Sequence, residues 1–110
     1  MNTKNTSITA AELADLQASG KAMTILDVRR KEDFDKAPQT YGGASWKNPV
    51  EVDEWVSSLP ARQEVILYCV RGGSVSQSVR QRLAEQGCSA RYVEGGLEAL
   101  MATSRNRQGK

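Results

Sequence analysis

Histidine is absent from this chain of 110 residues. That absence removes the imidazole on which serine and cysteine hydrolases rely to take and return a proton. It also weakens the case for a metal site, since imidazole is a frequent ligand. Cysteine is nearly as scarce. Cys69 and Cys88 are the two present, without the second pair that a zinc pattern needs, and in a reducing compartment they read as free thiols. No metal and no organic cofactor are expected. Long apolar runs are missing too: none approaches the roughly 18 residues of a membrane span. The opening "MNTKNTSITAAELADL" lacks the apolar h-region of a secretory signal, so a cytoplasmic location without a membrane partner is the expectation. Finally, there is little excess of either charge. The net of +2 comes from 15 basic and 13 acidic residues scattered along the chain, which excludes the basic footprint of a nucleic-acid binder and leaves small anions as partners.

What is present suits a soluble fold. Hydrophobic residues make up 39% and charged residues 25%, enough to build a core in a chain of single-domain length. One domain is expected over residues 1–103, followed by a flexible polar tail, "SRNRQGK", at 104–110.

The local signals alternate between strand and helix. Thr9 with Glu12 forms a capping box that starts a first helix, carrying Leu13 and Leu16 and ending near Ser19 and Gly20. Ile8 just before it suits a very short edge strand. "MTIL", Met23 to Leu26, reads as a buried strand with Asp27 at its carboxyl end. After a charged connection, "GGAS" is a candidate brief strand. Asn48, Pro49 and Glu51 then read as the boxed start of a helix whose Val52, Trp55, Val56 and Leu59 form one stripe, with Pro60 as its stop. "EVILYC", Glu64 to Cys69, is the most apolar run and reads as a central parallel strand. Val75, Val79 and Leu83 mark a helix from about Ser74 that closes at Gly87. "RYV" is a further strand, and "GGLEALMAT" a last helix burying Leu97, Leu100 and Met101. This alternation predicts a three-layer α/β/α domain around a mainly parallel sheet of four or five strands.

Chemistry concentrates in "YCVRGGS". Cys69 ends the strand that reads as central, and in open α/β sheets ligands bind beyond the carboxyl ends of the strands. Gly72 and Gly73 can take backbone angles closed to other residues, so their N–H groups would form an anion-binding nest beside the start of a helix. Arg71 adds a positive charge close by in the sequence. Together these favour a thiolate, and would equally favour a persulfide, whose outer sulfur is anionic. A buried cysteine acting as a small hydrophobe at a strand end fits the same residues as well. A P-loop is excluded by the lack of Lys-Ser/Thr, and a cysteine phosphatase by Val75, which stands where an arginine would close the loop.

The segments "SITAAEL", "LDVRRKEDFDKA", "YGGA", "VILYCVRGGS" and "YVEGGLEAL", in this order, resemble a single-domain rhodanese, the thiosulfate sulfurtransferase family. The resemblance implies that Cys69 accepts a sulfane sulfur and that the loop Val70, Arg71, Gly72, Gly73, Ser74 and Val75 holds the persulfide. It implies that Asp27 and Arg29 support the neighbouring loops. The implied partners are a small anionic sulfur donor such as thiosulfate and a cyanide or thiol acceptor, with a sulfur-relay protein as a further candidate. Three departures bear on the donor: "KAPQTY" replaces the usual Gly-His-Ile, Leu100 stands for tryptophan, and Gly73 leaves the loop without a gripping side chain. Cys88 reads as core. A persulfide carrier, or an interaction module on the same scaffold, is the rival to an enzyme with free turnover.

Overall fold

The computed structural model describes residues 6–20, 22–41, 43–59, 64–71 and 73–108, with side chains to residue 102. Five strands form one sheet: β1 (Ser7–Ile8), β2 (Met23–Asp27), β3 (Ser45–Trp46), β4 (Glu64–Tyr68) and β5 (Ala90–Val93). Their order is β1-β5-β4-β2-β3, and every neighbouring pair is parallel. The most apolar segment, β4, therefore lies in the middle. Its register against β2 sets Asp27 beside Tyr68 at the carboxyl ends of both strands.

Alternation along β4 divides the core in two. Val65 and Leu67, and Cys69 just beyond, point to one face, while Ile66 and Tyr68 point to the other. The first face is covered by α3 (Val52–Trp55) and α4 (Ser74–Glu85) through Val52, Trp55, Val79 and Leu83. The second is covered by α1 (Ala10–Ala18) and α5 (Gly96–Gln108) through Ala10, Leu13 and Leu100. Each fully buried Leu or Val contributes about 1.5–3 kcal/mol. A strand covered on both faces must be apolar throughout, which is why "EVILYC" does not alternate with polar residues.

The chain's local signals set the ends of several elements. The Thr9 hydroxyl accepts the Glu12 N–H and the Glu12 carboxylate accepts the Thr9 N–H, so the predicted capping box starts α1. Past α4, the Cys88 N–H donates to the Leu83 carbonyl at 2.9 Å, and Cys88 packs against the core.

Three expectations are corrected. The charged connection contains a short helix, α2 (Lys31–Lys36). It has no apolar stripe to reveal it, and Phe34, its one large apolar residue, stacks on Trp46 with ring centroids 4.7 Å apart. The helix expected after Asn48 is broken into a 3-10 turn at Pro49–Glu51, α3, and a second 3-10 turn at Val56–Ser58. There the Asn48 side chain accepts the Val50 N–H, and the carbonyl of Asn48 is taken by the Trp55 indole; Pro60 lies outside the described residues. Met101 is 45% exposed, because the face of α5 that meets the core is Leu97, Ala99 and Leu100. The backbone of α5 also runs on to Gln108, into the segment expected as tail. Among the described residues, no helix is long and apolar enough to cross a membrane.

Candidate active site

Cys69 follows β4 directly, and its backbone is held from the opposite side of the sheet. The Leu97 N–H donates to the Cys69 carbonyl at 2.8 Å and the Glu98 N–H to the Val70 carbonyl at 3.3 Å. These are N–H groups of the first turn of α5, which the helix itself leaves without partners. The turn into α5 requires glycine: φ is +78° at Gly95, where a Cβ would lie 2.7 Å from the Ala99 Cβ.

The sulfur points to the α4 side. Cys69 is 6% exposed, and its Sγ lies 3.3 Å from the hydroxyl of Ser76, which is fully buried. Ser76 in turn donates to the Gly73 carbonyl at 3.4 Å. No side chain caps α4, so the positive end of its dipole faces the loop. Gly73, expected to be able to take angles closed to other residues, has φ −88° and ψ −146°, and a Cβ there would meet nothing within 4 Å. Its glycine is thus a matter of open space rather than backbone necessity. Gly72 lies outside the described residues, and with it the nest expected around that position. Ser74 is exposed, and Val75 is half-buried against the core.

The two arginines foreseen near the sulfur differ in setting. Arg29 is 2% exposed and grips Asp27 through Nε and Nη2, with contacts of 2.7–3.0 Å. Its remaining donors reach the carbonyls of Ala37 and Gln39, both at 2.9 Å, and the Phe34 ring stands 5.3 Å away. Behind this pair, the buried Tyr68 hydroxyl accepts the Tyr41 N–H at 2.8 Å. Burial pushes the Tyr68 phenol well above its ordinary value, and the Asp27 carboxylate adds to the rise. Arg71, by contrast, lies on the surface with Nε 3.2 Å from the Glu98 carboxylate.

A cleft of about 290 Å³ opens over Cys69, walled by Arg29, Arg30 and Asp33 on one side and by Val70, Arg71, Gly73, Ser74 and Val75 on the other. Arg30 and Ser76 escape a reading of sequence alone. The signal for Ser76 is present in retrospect, since Ser76, Val79 and Leu83 follow i, i+3, i+7 and are the buried residues of α4. Trp46 and Tyr41 anchor loops here, through the Arg29 carbonyl and Tyr68 respectively. Among the described residues, no group of three or more His, Cys, Asp or Glu is placed to hold a metal.

A fully parallel α/β sheet whose central strand ends in a cysteine, turned toward the start of the next helix, defines a class of cysteine-loop domains. Within that class, the family model for the rhodanese-like domain matches residues 9–103, and the chain belongs to this family. Its fold is similar to that of a rhodanese-like domain protein from Staphylococcus aureus, with 29% identity, TM-score 0.75, and coverage of 86% of this chain and 89% of that one. A rhodanese homologue from Thermus thermophilus is similar at 27% identity and TM-score 0.66, covering 84% and 98%. Over 49 residues the chain is also 45% identical to tRNA 2-selenouridine synthase of Shewanella sp. strain ANA-3. That match takes in 44% of this chain and 13% of the relative.

Proposed function

We propose that this domain is a sulfurtransferase that carries a sulfane sulfur on Cys69 as a persulfide. The observation that carries the reading is the position of the sulfur just past the end of the central strand, beside the uncapped first turn of α4 and within hydrogen-bond reach of Ser76. The Cys69 thiolate attacks the outer sulfur of a donor such as thiosulfate. A Cys69 S–S bond forms, the donor's S–S bond breaks, and sulfite leaves with the electron pair. Cyanide or a thiolate then attacks the outer sulfur of the persulfide, and the Cys69 thiolate departs with the pair of the broken bond. Neither step needs a proton shuttle, which suits a chain without histidine. Val70, Gly73, Ser74 and Val75 line the space that the outer sulfur would enter, and Arg71 and Arg30 supply positive charge for an anionic donor.

The match to part of tRNA 2-selenouridine synthase supports a second reading, in which Cys69 receives its sulfur from a partner enzyme and hands it to another protein. Intact mass distinguishes the two. After incubation with thiosulfate, wild type should gain one sulfur, about 32 Da, removable by cyanide and absent in Cys69→Ser. A gain only from a protein donor such as a cysteine desulfurase selects the carrier. No gain from thiosulfate, polysulfide or desulfurase sinks both.

A further inference from the structure

Ser76 stands in the buried stripe of α4, where the other members are Val79 and Leu83. A buried hydroxyl needs partners, and both of its partners belong to the cysteine loop: the Cys69 sulfur at 3.3 Å and the Gly73 carbonyl at 3.4 Å. That carbonyl also accepts the Gln77 N–H at 3.2 Å, the first backbone bond of α4, so it does not depend on the hydroxyl. The Ser76 proton is therefore free to choose. With Cys69 protonated, the thiol donates to the Ser76 oxygen and Ser76 donates to Gly73. With Cys69 ionised, the thiol proton has gone to solvent and the sulfur can only accept. The hydroxyl then turns to the sulfur, and Gly73 keeps its bond from Gln77.

We infer that Ser76 is a positioning residue that donates a hydrogen bond to the Cys69 sulfur anion. A second consequence rests on the sulfur-transfer reading. When an acceptor attacks the outer sulfur, negative charge returns to the Cys69 sulfur, and the Ser76 bond strengthens as that charge develops. Ser76 would thus assist departure of the cysteine as well as hold its anion once formed.

The test is the rate of alkylation by iodoacetamide, a neutral probe, followed at the Cys69 peptide by mass so that Cys88 does not contribute. It is read across pH for wild type, Ser76→Ala, Ser76→Thr and Ser76→Val. Loss of the donor disfavours the anion, so the alanine variant should react about tenfold more slowly than wild type at acidic to neutral pH. The two rates should converge at alkaline pH, where the thiol is fully ionised in both. Threonine should follow wild type, and valine, its equal in shape, should follow alanine. The other charged groups around the cleft, Arg29 with Asp27, Arg30, Asp33, and Arg71 with Glu98, are common to all four proteins. An alanine variant that matches wild type at every pH, or is slower by one constant factor at every pH, overturns the inference, the second result meaning altered access alone. If the alanine variant does not fold, the threonine and valine pair decides by the same rule. No sulfur donor enters this assay. A missing persulfide therefore refutes the sulfur-transfer reading without touching Ser76, and a flat comparison among the variants refutes Ser76 without touching sulfur transfer.

Discussion

Of the arginines that border the cleft, Arg29 and Arg71 are built for opposite purposes. Arg29 is enclosed, with its guanidinium divided between the Asp27 carboxylate and two loop carbonyls. Arg71 stands in solvent with its side chain 79% exposed and a single carboxylate partner. A buried, fully satisfied pair fixes geometry and is costly to break, whereas an exposed pair is weak and easily exchanged for another anion. The cleft thus has one wall that holds shape and one that can answer a ligand.

Removal of Arg29 should have the largest effect. Arg29→Ala leaves the buried Asp27 carboxylate without its charge partner, although the backbone N–H of residue 29 still donates to it, and should cost about 3–5 kcal/mol in urea denaturation. Arg71→Ala should leave the urea midpoint where it is, and equal losses for the two would erase the distinction. Arg29→Lys should recover little, because an ammonium cannot reproduce the planar fork.

A smaller effect tests whether the loop that follows Cys69 is held by backbone rather than side chains. Gly95→Ala combines a positive φ with contact on Ala99 and should cost about 1–3 kcal/mol. It would also loosen the α5 turn that binds the Cys69 and Val70 carbonyls, so Cys69 should alkylate faster. Unchanged stability and reactivity would show that this turn does not brace the loop.

Tyr68 sharpens the rigid side. Its phenol is raised by burial and by Asp27, so the folded state holds the proton more tightly than the unfolded chain. The resulting stability is complete below the unfolded value of about 10 and declines as pH rises above it. Tyr68→Phe should cost about 1 kcal/mol at neutral pH, through the lost acceptor for the Tyr41 N–H. It should also flatten part of that alkaline decline in thermal melts taken across pH; an unchanged slope would contradict the assignment.

The smallest effect belongs to Glu98. On the proposed sulfur-transfer reading with thiosulfate as donor, Glu98→Gln frees Arg71 and should lower the KM about twofold at low salt, with the gain vanishing at high ionic strength. A gain that persists in high salt would mean that Glu98 acts by something other than charge.

Much of the scaffold is legible in short stretches. Thr9 and Glu12 are three residues apart and bond to each other, so their box needs no tertiary partner. The apolar run ending in Cys69 marks the strand covered on both faces. Legibility fails where packing decides. α2 has no stripe because it covers little core, and its Phe34 is ordered by Trp46 from another element. The helix after Asn48 is broken although its stripe is regular: the Asn48 carbonyl accepts the Glu51 N–H in a 3-10 turn and the Trp55 indole from the next turn. Met101 continues the spacing of Leu97 and Leu100 yet stands out of the core.

Read by itself, the chain determines its alternation of strand and helix, the start of α1, the central place of the strand before Cys69, and the glycines that lead into α5. These follow from periodicity, capping and backbone freedom, all of which act over a few residues. Only the tertiary structure decided that Ser76 meets the sulfur, that Arg71 pairs with Glu98, and that Arg29 holds the carbonyls of Ala37 and Gln39. Such partners are brought together by parallel crossovers and by side-chain packing, and their distances depend on how the helices settle on the sheet. The periodicity of one segment carries no record of that.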